Sequence, residues 1–170
     1  KLLTAAARLM ERDGFHGVSM QALADEAGVS VGLAYRYFDG KEDVLLAVIV
    51  DVLDAFAEQV PRAIDAAGDD PVERLAAAFR GYCEVIAAHR HAAVLTYRES
   101  KTLGSSGRKR IKALEFATCE PLLQVIADGC MSGRLAVADA DLLTYDLLLL
   151  AHDCAVKHWY FERRRSFDDG

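Results

Sequence analysis

An all-α fold follows from three observations on the sequence. Apolar residues recur at i, i+3, i+4 and i+7 over most of the chain. The segments so marked are separated by Gly14, Gly28, Gly40, Gly68-Asp69-Asp70-Pro71, Gly104 and Gly133, residues that stop helices or start them. No run alternates with the two-residue period of a strand, and no segment repeats. The expected layout is an N-terminal three-helix unit over residues 1–41 and a C-terminal helical bundle over residues 42–170.

The first helix spans residues 1–13, with Leu2, Leu3, Ala6, Leu9 and Met10 on its inner side. Gly14 ends it and Phe15 plugs a small core. Ser19 caps Met20 to Ala27, with Leu23 and Ala27 facing inward. Gly28 supplies a left-handed turn that a β-carbon resists, and Val29 is expected as a buried plug. Ser30 caps a second short helix, Val31 to Tyr37, which Phe38 and Asp39-Gly40 terminate. Helix, glycine turn, helix is the helix-turn-helix plan, whose second helix enters a DNA major groove.

The residue types suit that task. The candidate DNA contacts are Ser19, Met20 and Gln21 at the start of the first helix of the pair, Ser30, Val31, Gly32, Leu33, Tyr35, Arg36 and Tyr37 around the second, and Lys41. Ser30 stands where helix-terminal N–H groups meet a phosphate. Gly32 permits close approach of backbones. Tyr35, Tyr37 and Lys41 are expected on phosphates, Arg36 on phosphate or a base edge, and Val31 and Leu33 on thymine methyls. The competing reading is a helical hairpin with surface aromatics.

Lys41 to about residue 66 is a long fourth helix, with Val44, Leu45, Val48, Ile49, Val52, Leu53 and Phe56 as its stripe. Asp70 caps, and Pro71 opens, a helix over 71–89 carrying Leu75, Phe79, Tyr82 and Ile86. His89-Arg90-His91 is a junction before a shorter helix over 92–103. After a loop at 104–107, a helix over 108–132 starts with Arg108, Lys109, Arg110 and Lys112, and Pro121 is expected to bend or break it. The last helix runs from Asp139 to about residue 165, is very apolar at LLTYDLLLL, ends in Arg163-Arg164-Arg165, and leaves SFDDG to fray. Two long apolar helices late in a small chain predict a homodimer through a four-helix bundle; the alternative is that LLTYDLLLL is intramolecular core. A two-fold protein reads a palindrome with half-sites ~34 Å apart.

Composition narrows the function classes. The chain has 170 residues, 52% of them hydrophobic, with net charge −6. The first 41 residues are neutral, Lys1, Arg8, Arg12, Arg36 and Lys41 balancing Glu11, Asp13, Asp25, Glu26 and Asp39. That is low for a DNA binder and leads to the expectation of a basic arm ahead of Lys1. Cys83, Cys119, Cys130 and Cys154 show no C-x-x-C spacing, and no signal peptide or apolar run of ~18 residues is present, so a cytoplasmic protein off the membrane is expected. No G-x-S-x-G, phosphate loop or dinucleotide fingerprint occurs, so neither enzyme activity nor a cofactor is expected. Cys154 and His158 share a helix face, but zinc needs three or four ligands, and no metal site is expected.

The segments LLTAAARLMERDGF, VSMQALADEAGVSVGLAYRYF and K-E-D-V-L, together covering Leu2 to Val48, resemble the TetR family of bacterial transcription regulators. The sequence departs from the family pattern at Val31 and at Leu33-Ala34. The resemblance implies dimerisation through the last two long helices and an effector held inside the body. On that ground Phe56, Phe79, Tyr82, Cys83, Ile86, Tyr97, Arg98, Thr102, Phe116 and Trp159 are candidate effector contacts. TYRESKTL and the later H-W-Y are similar to a subgroup sensing fatty-acyl or other coenzyme A thioesters. Arg98 would meet the ligand's carboxylate, thioester or phosphate; an ordinary salt bridge is the alternative. The implied function is a repressor that an acyl-CoA or fatty acid releases from its palindromic operator. Its rival is a helical module that binds a ligand or partner without specific DNA binding.

Overall fold

The computed structural model describes residues 1–157, apart from the side chain of Cys154. Among them the order is α1 (Leu2–Asp13), α2 (Met20–Ala27), α3 (Val31–Tyr37), α4 (Lys41–Ala66), α5 (Pro71–Ala88), α6 (Arg90–Glu99), a 3-10 turn (Ser100–Thr102), α7 (Ser105–Met131) and α8 (Ala140–Val156). Trp159, His158 and Arg163-Arg164-Arg165 lie outside the described residues, as does the side chain of Cys154.

Among the described residues two compact units are present, one of residues 1–54 and 89–115, the other of residues 55–88 and 116–157. The first therefore takes in thirteen or so residues of α4 beyond position 41, together with α6 and the start of α7. Its core is built from Ala6, Leu9 and Met10 of α1, Phe15, Leu23 and Ala24, Val44, Leu45, Val48 and Ile49 of α4, and Ala92 and Leu95 of α6. α1 packs on both α2 and α6, and α2 packs on α3.

In the second unit Phe56, Val60 and Ile64 of α4 are buried, as are Tyr82, Val85 and Ile86 of α5, Leu122, Val125 and Ile126 of α7, and Leu148 and Ala151 of α8. α5 packs along α8. The start of α5 is tied to the end of α7 and its following turn. Asp70 caps Val72 at 2.8 Å while its other oxygen accepts from Arg134 at 2.6 Å. Gly129 makes room there, since a β-carbon would stand 2.4 Å from Leu135 Cδ1. The Arg134 guanidinium holds the Asp70 carboxyl below its ordinary range.

Pro121 does not break α7, which runs unbroken from Ser105 to Met131, and Pro61 likewise sits inside α4. A mid-helix proline costs about 3 kcal/mol. Burial of Leu122, Val125 and Ile126 just beyond Pro121 offsets that cost, at about 1.5–3 kcal/mol for each fully buried aliphatic side chain.

Candidate functional site

The α2–α3 pair is organised by its caps. Ser19 Oγ accepts from Ala22 N at 3.1 Å, and Ser30 Oγ accepts from Leu33 N at 3.2 Å. Each supplies one partner that a helix start lacks. Gly28 adopts φ 66°, ψ 37°, the left-handed conformation expected, and closes α2. Val29 is only half-buried, so the plug is partial.

α3 has one fully buried residue, and Val31 is half-buried. Ala34 is 1% exposed, whereas Tyr35 and Tyr37 are 54% and 69% exposed and Gly32, Leu33 and Arg36 are also exposed. Two phenols, a guanidinium and an isobutyl group therefore share one seven-residue helix whose start has no acidic residue. That surface can donate to phosphate oxygens and base-edge acceptors and can meet a methyl group. A β-carbon at Gly32 would meet nothing within 4 Å, so close packing inside the chain is not the reason for glycine there. What the missing side chain leaves is open space in front of the helix.

Three other candidates at this site are engaged within the chain, and one of them, Met20, does not reach its surface. Met20 is buried: with Leu23 and Ala24 it forms the inner face of α2, so its side chain belongs to the core. Gln21 is exposed, with its amide on Asp25 at 2.7 Å. Lys41 Nζ donates to the carbonyls of Phe15, His16 and Val18 at 3.1, 3.3 and 3.1 Å and lies 4.7 Å from the centre of the Phe15 ring.

The candidate effector residues separate into two groups. Phe56, Tyr82 and Ile86 are buried in the second unit, with Phe79 and Cys83 half-buried beside them on α5. The Phe56 and Tyr82 rings stand 5.2 Å apart. Tyr82 donates its hydroxyl to the Thr118 carbonyl, and burial pushes its phenol pKa up, so it stays neutral. By contrast Tyr97, Arg98 and Phe116 are exposed in the single chain rather than interior. Arg98 Nη1 reaches the Glu11 carbonyl at 3.4 Å, and Thr102 donates to the Glu99 carbonyl at 2.7 Å.

Sequence reasoning did not count His152 among the effector contacts. Its ring lies 5.9 Å from Phe56, its Nδ1–H donates to the Leu148 carbonyl at 2.8 Å, and burial lowers its pKa, keeping it neutral. It missed a second feature as well. Glu11 on α1 meets His91 and, at 3.5 Å, Arg90, both at the start of α6, while His89 faces Asp51 of α4 at 3.9 Å. The His89-Arg90-His91 junction thus ties α6 to α1 and α4 through polar contacts, a pairing that local pattern could not show.

Comparison with known proteins agrees with this geometry. Residues 2–48 match the family model described as bacterial regulatory proteins, tetR family, and residues 68–163 match that of the tetracyclin repressor-like C-terminal domain. The HTH-type transcriptional regulator HbdR of Aromatoleum sp. (strain CIB) is 36% identical over 98% of this chain and 72% of its own. The crystal structure of FadR from Bacillus subtilis in complex with stearoyl-CoA superposes with TM-score 0.77 at 21% identity, over 96% of this chain and 87% of that one. The structure of AibR in complex with isovaleryl coenzyme A and operator DNA gives TM-score 0.77 at 24% identity, over 91% and 83%.

Proposed function

The chain belongs to the TetR family of bacterial regulatory proteins and is a DNA-binding transcription regulator, and we propose that it is a homodimeric, cytoplasmic repressor released from a palindromic operator by an acyl-CoA thioester. The observation that carries the DNA role is α3 itself: one buried anchor, with Leu33, Tyr35, Arg36 and Tyr37 turned out. Tyr35 and Tyr37 grip phosphates, and Leu33 and Val31 meet thymine methyls.

The dimer is supported by α8. Leu142, Tyr145, Leu149 and Val156 are exposed at helical spacing, with Leu150 beside them. An apolar stripe of that length on a single chain calls for a partner helix. The effector class is supported by FadR and AibR, whose structures hold stearoyl-CoA and isovaleryl coenzyme A. Inside the second unit, Phe56, Phe79, Tyr82, Cys83, Ile86 and His152 offer an apolar surface with a few polar atoms, the usual make-up of a small-molecule site. In release, an effector-favoured displacement of α6 is carried by His91 and Arg90 to Glu11 on α1 and by His89 to Asp51 on α4. The two reading heads then no longer match half-sites ~34 Å apart. A coupling of about 1–3 kcal/mol is the usual size for such a linkage.

The test is binding to duplexes selected from a random pool by the intact protein, followed by titration with isovaleryl- and stearoyl-CoA. Recovery of a palindrome, and its release by one thioester and not by free coenzyme A, is the expected result. Selected sites without two-fold symmetry would overturn the dimer, and release by neither thioester would overturn the effector class.

A further inference from the structure

The ammonium of Lys41 occupies a position that the DNA-contact role does not explain. It is the first residue of α4, immediately after the reading element, and its acceptors are loop carbonyls immediately before that element. A lysine ammonium has three donors, and here three carbonyls receive them. The Val18 carbonyl is 23 positions from Lys41 in sequence and adjacent to Ser19, the α2 cap. The Phe15 ring, itself buried, adds a face 4.7 Å from the same nitrogen.

We infer that Lys41 is a clasp that closes the helix-turn-helix on itself, a positioning residue for α3 rather than a phosphate ligand. The inference rests on the DNA-binding reading for its consequence, but the clasp belongs to the protein without DNA. One ammonium joins the entry of α2 to the exit from α3, so the whole reading element becomes a closed ring. To reach a phosphate the side chain would release three carbonyls and a ring face for one anion. The ring instead holds α3 ready to bind, so that less ordering remains to be done on DNA.

Two measurements separate the roles. Nitrogen-15 NMR of the lysine ammonium groups of the intact protein, with K41R to assign the signal, reads the free state. A Lys41 signal slow in hydrogen exchange without DNA, and unmoved by a selected duplex, supports the clasp. A signal that exchanges like a surface lysine and becomes protected only on the duplex overturns it. The second measurement is the salt dependence of duplex affinity for wild type, K41M and K41R. A lost phosphate contact lowers the slope of log K against log salt by about 0.9 per head, and arginine would restore it. The clasp leaves the slope of K41M unchanged while affinity falls about ten-fold, and K41R fails to rescue because a planar fork does not fit three converging carbonyls. Should no duplex be selected, the DNA reading fails, and the free-state NMR still decides the clasp.

Discussion

α3 and α8 both expose large side chains, for opposite physical reasons. α3 turns out tyrosines and an arginine, groups whose polar tips are content in water and whose donors suit a polyanion. α8 turns out Leu142 at 59% and Leu149 at 55% exposure, with Leu150 beside them, groups that have nothing to offer a hydrated surface. An exposed apolar atom is common on any protein. What distinguishes the two helices is how much of the exposed row can hydrogen-bond. Where much of it can, the partner can be DNA; where most of it cannot, the partner has to be another dry surface, for which we propose a second copy of α8.

The sharpest way to break this contrast is L142E with L149E. Buried like charges at the pairing face should convert the dimer to monomer on analytical ultracentrifugation. Duplex affinity should then fall at least about 100-fold, because the second half-site no longer binds intramolecularly. A dimer surviving both changes would assign the stripe another role. Serine can next be placed on each helix in turn. L149S should weaken the dimer, whereas L33S should leave oligomer state and melting temperature within experimental error. L33S should alter preference at one base pair, by about 1–3 kcal/mol, in a selection experiment. Next in size is E11Q, which removes the charge that His91 and Arg90 share. Operator affinity should persist while the effector-induced loss of binding shrinks by about 1 kcal/mol, read from duplex affinity with and without thioester.

Smaller still is the difference between two neighbours on α3. R36Q should lower the salt slope if the guanidinium meets a phosphate, while Y37F should cost about 0.5–1.5 kcal/mol on all sequences alike and leave the slope unchanged, since a phenol carries no charge. The smallest effect concerns His152. Burial depresses its pKa below the ordinary 6.5, so the unfolded chain takes up a proton first as pH falls. Its contribution to stability is complete above about pH 6.5 and is lost below it. Thermal melts of H152Q should therefore show a shallower acid limb than wild type between neutral pH and pH 5.

The two helices also differ in how readily they can be read from the chain. The ends of α2 and α3 follow from Ser19, Gly28 and Ser30, whose caps act within three or four residues, and those ends are found where local chemistry puts them. The exposed tyrosines are legible for the same reason. Met20 was also legible in principle, because it shares the inward face with Leu23 and Ala24. Lys41 was not: its acceptors are 23 to 26 positions away, and any first-turn lysine has the same local pattern. Nor was the unbroken α7, because what overrides Pro121 is tertiary burial of Leu122, Val125 and Ile126. The effector residues were named because the family resemblance implies an effector inside the body, and a resemblance of that kind does not say which side chains of each helix end up interior. Phe56 and Tyr82 are interior, while Tyr97, Arg98 and Phe116 are at the surface, and nothing local to His152 tied it to Phe56.

The single anchor of α3 bears on how such a regulator changes over generations. Ala34 and the Ser30 cap hold the helix, and the clasp at Lys41 holds its frame. Positions 32, 33, 35, 36 and 37 are exposed, and substitutions there are expected to cost folding little. Drift at those positions meets little resistance from stability, so a duplicated gene can acquire a new target site without passing through an unfolded ancestor. The same separation makes the five positions an exchangeable cassette, open to reprogramming while the rest of the molecule keeps its sensor.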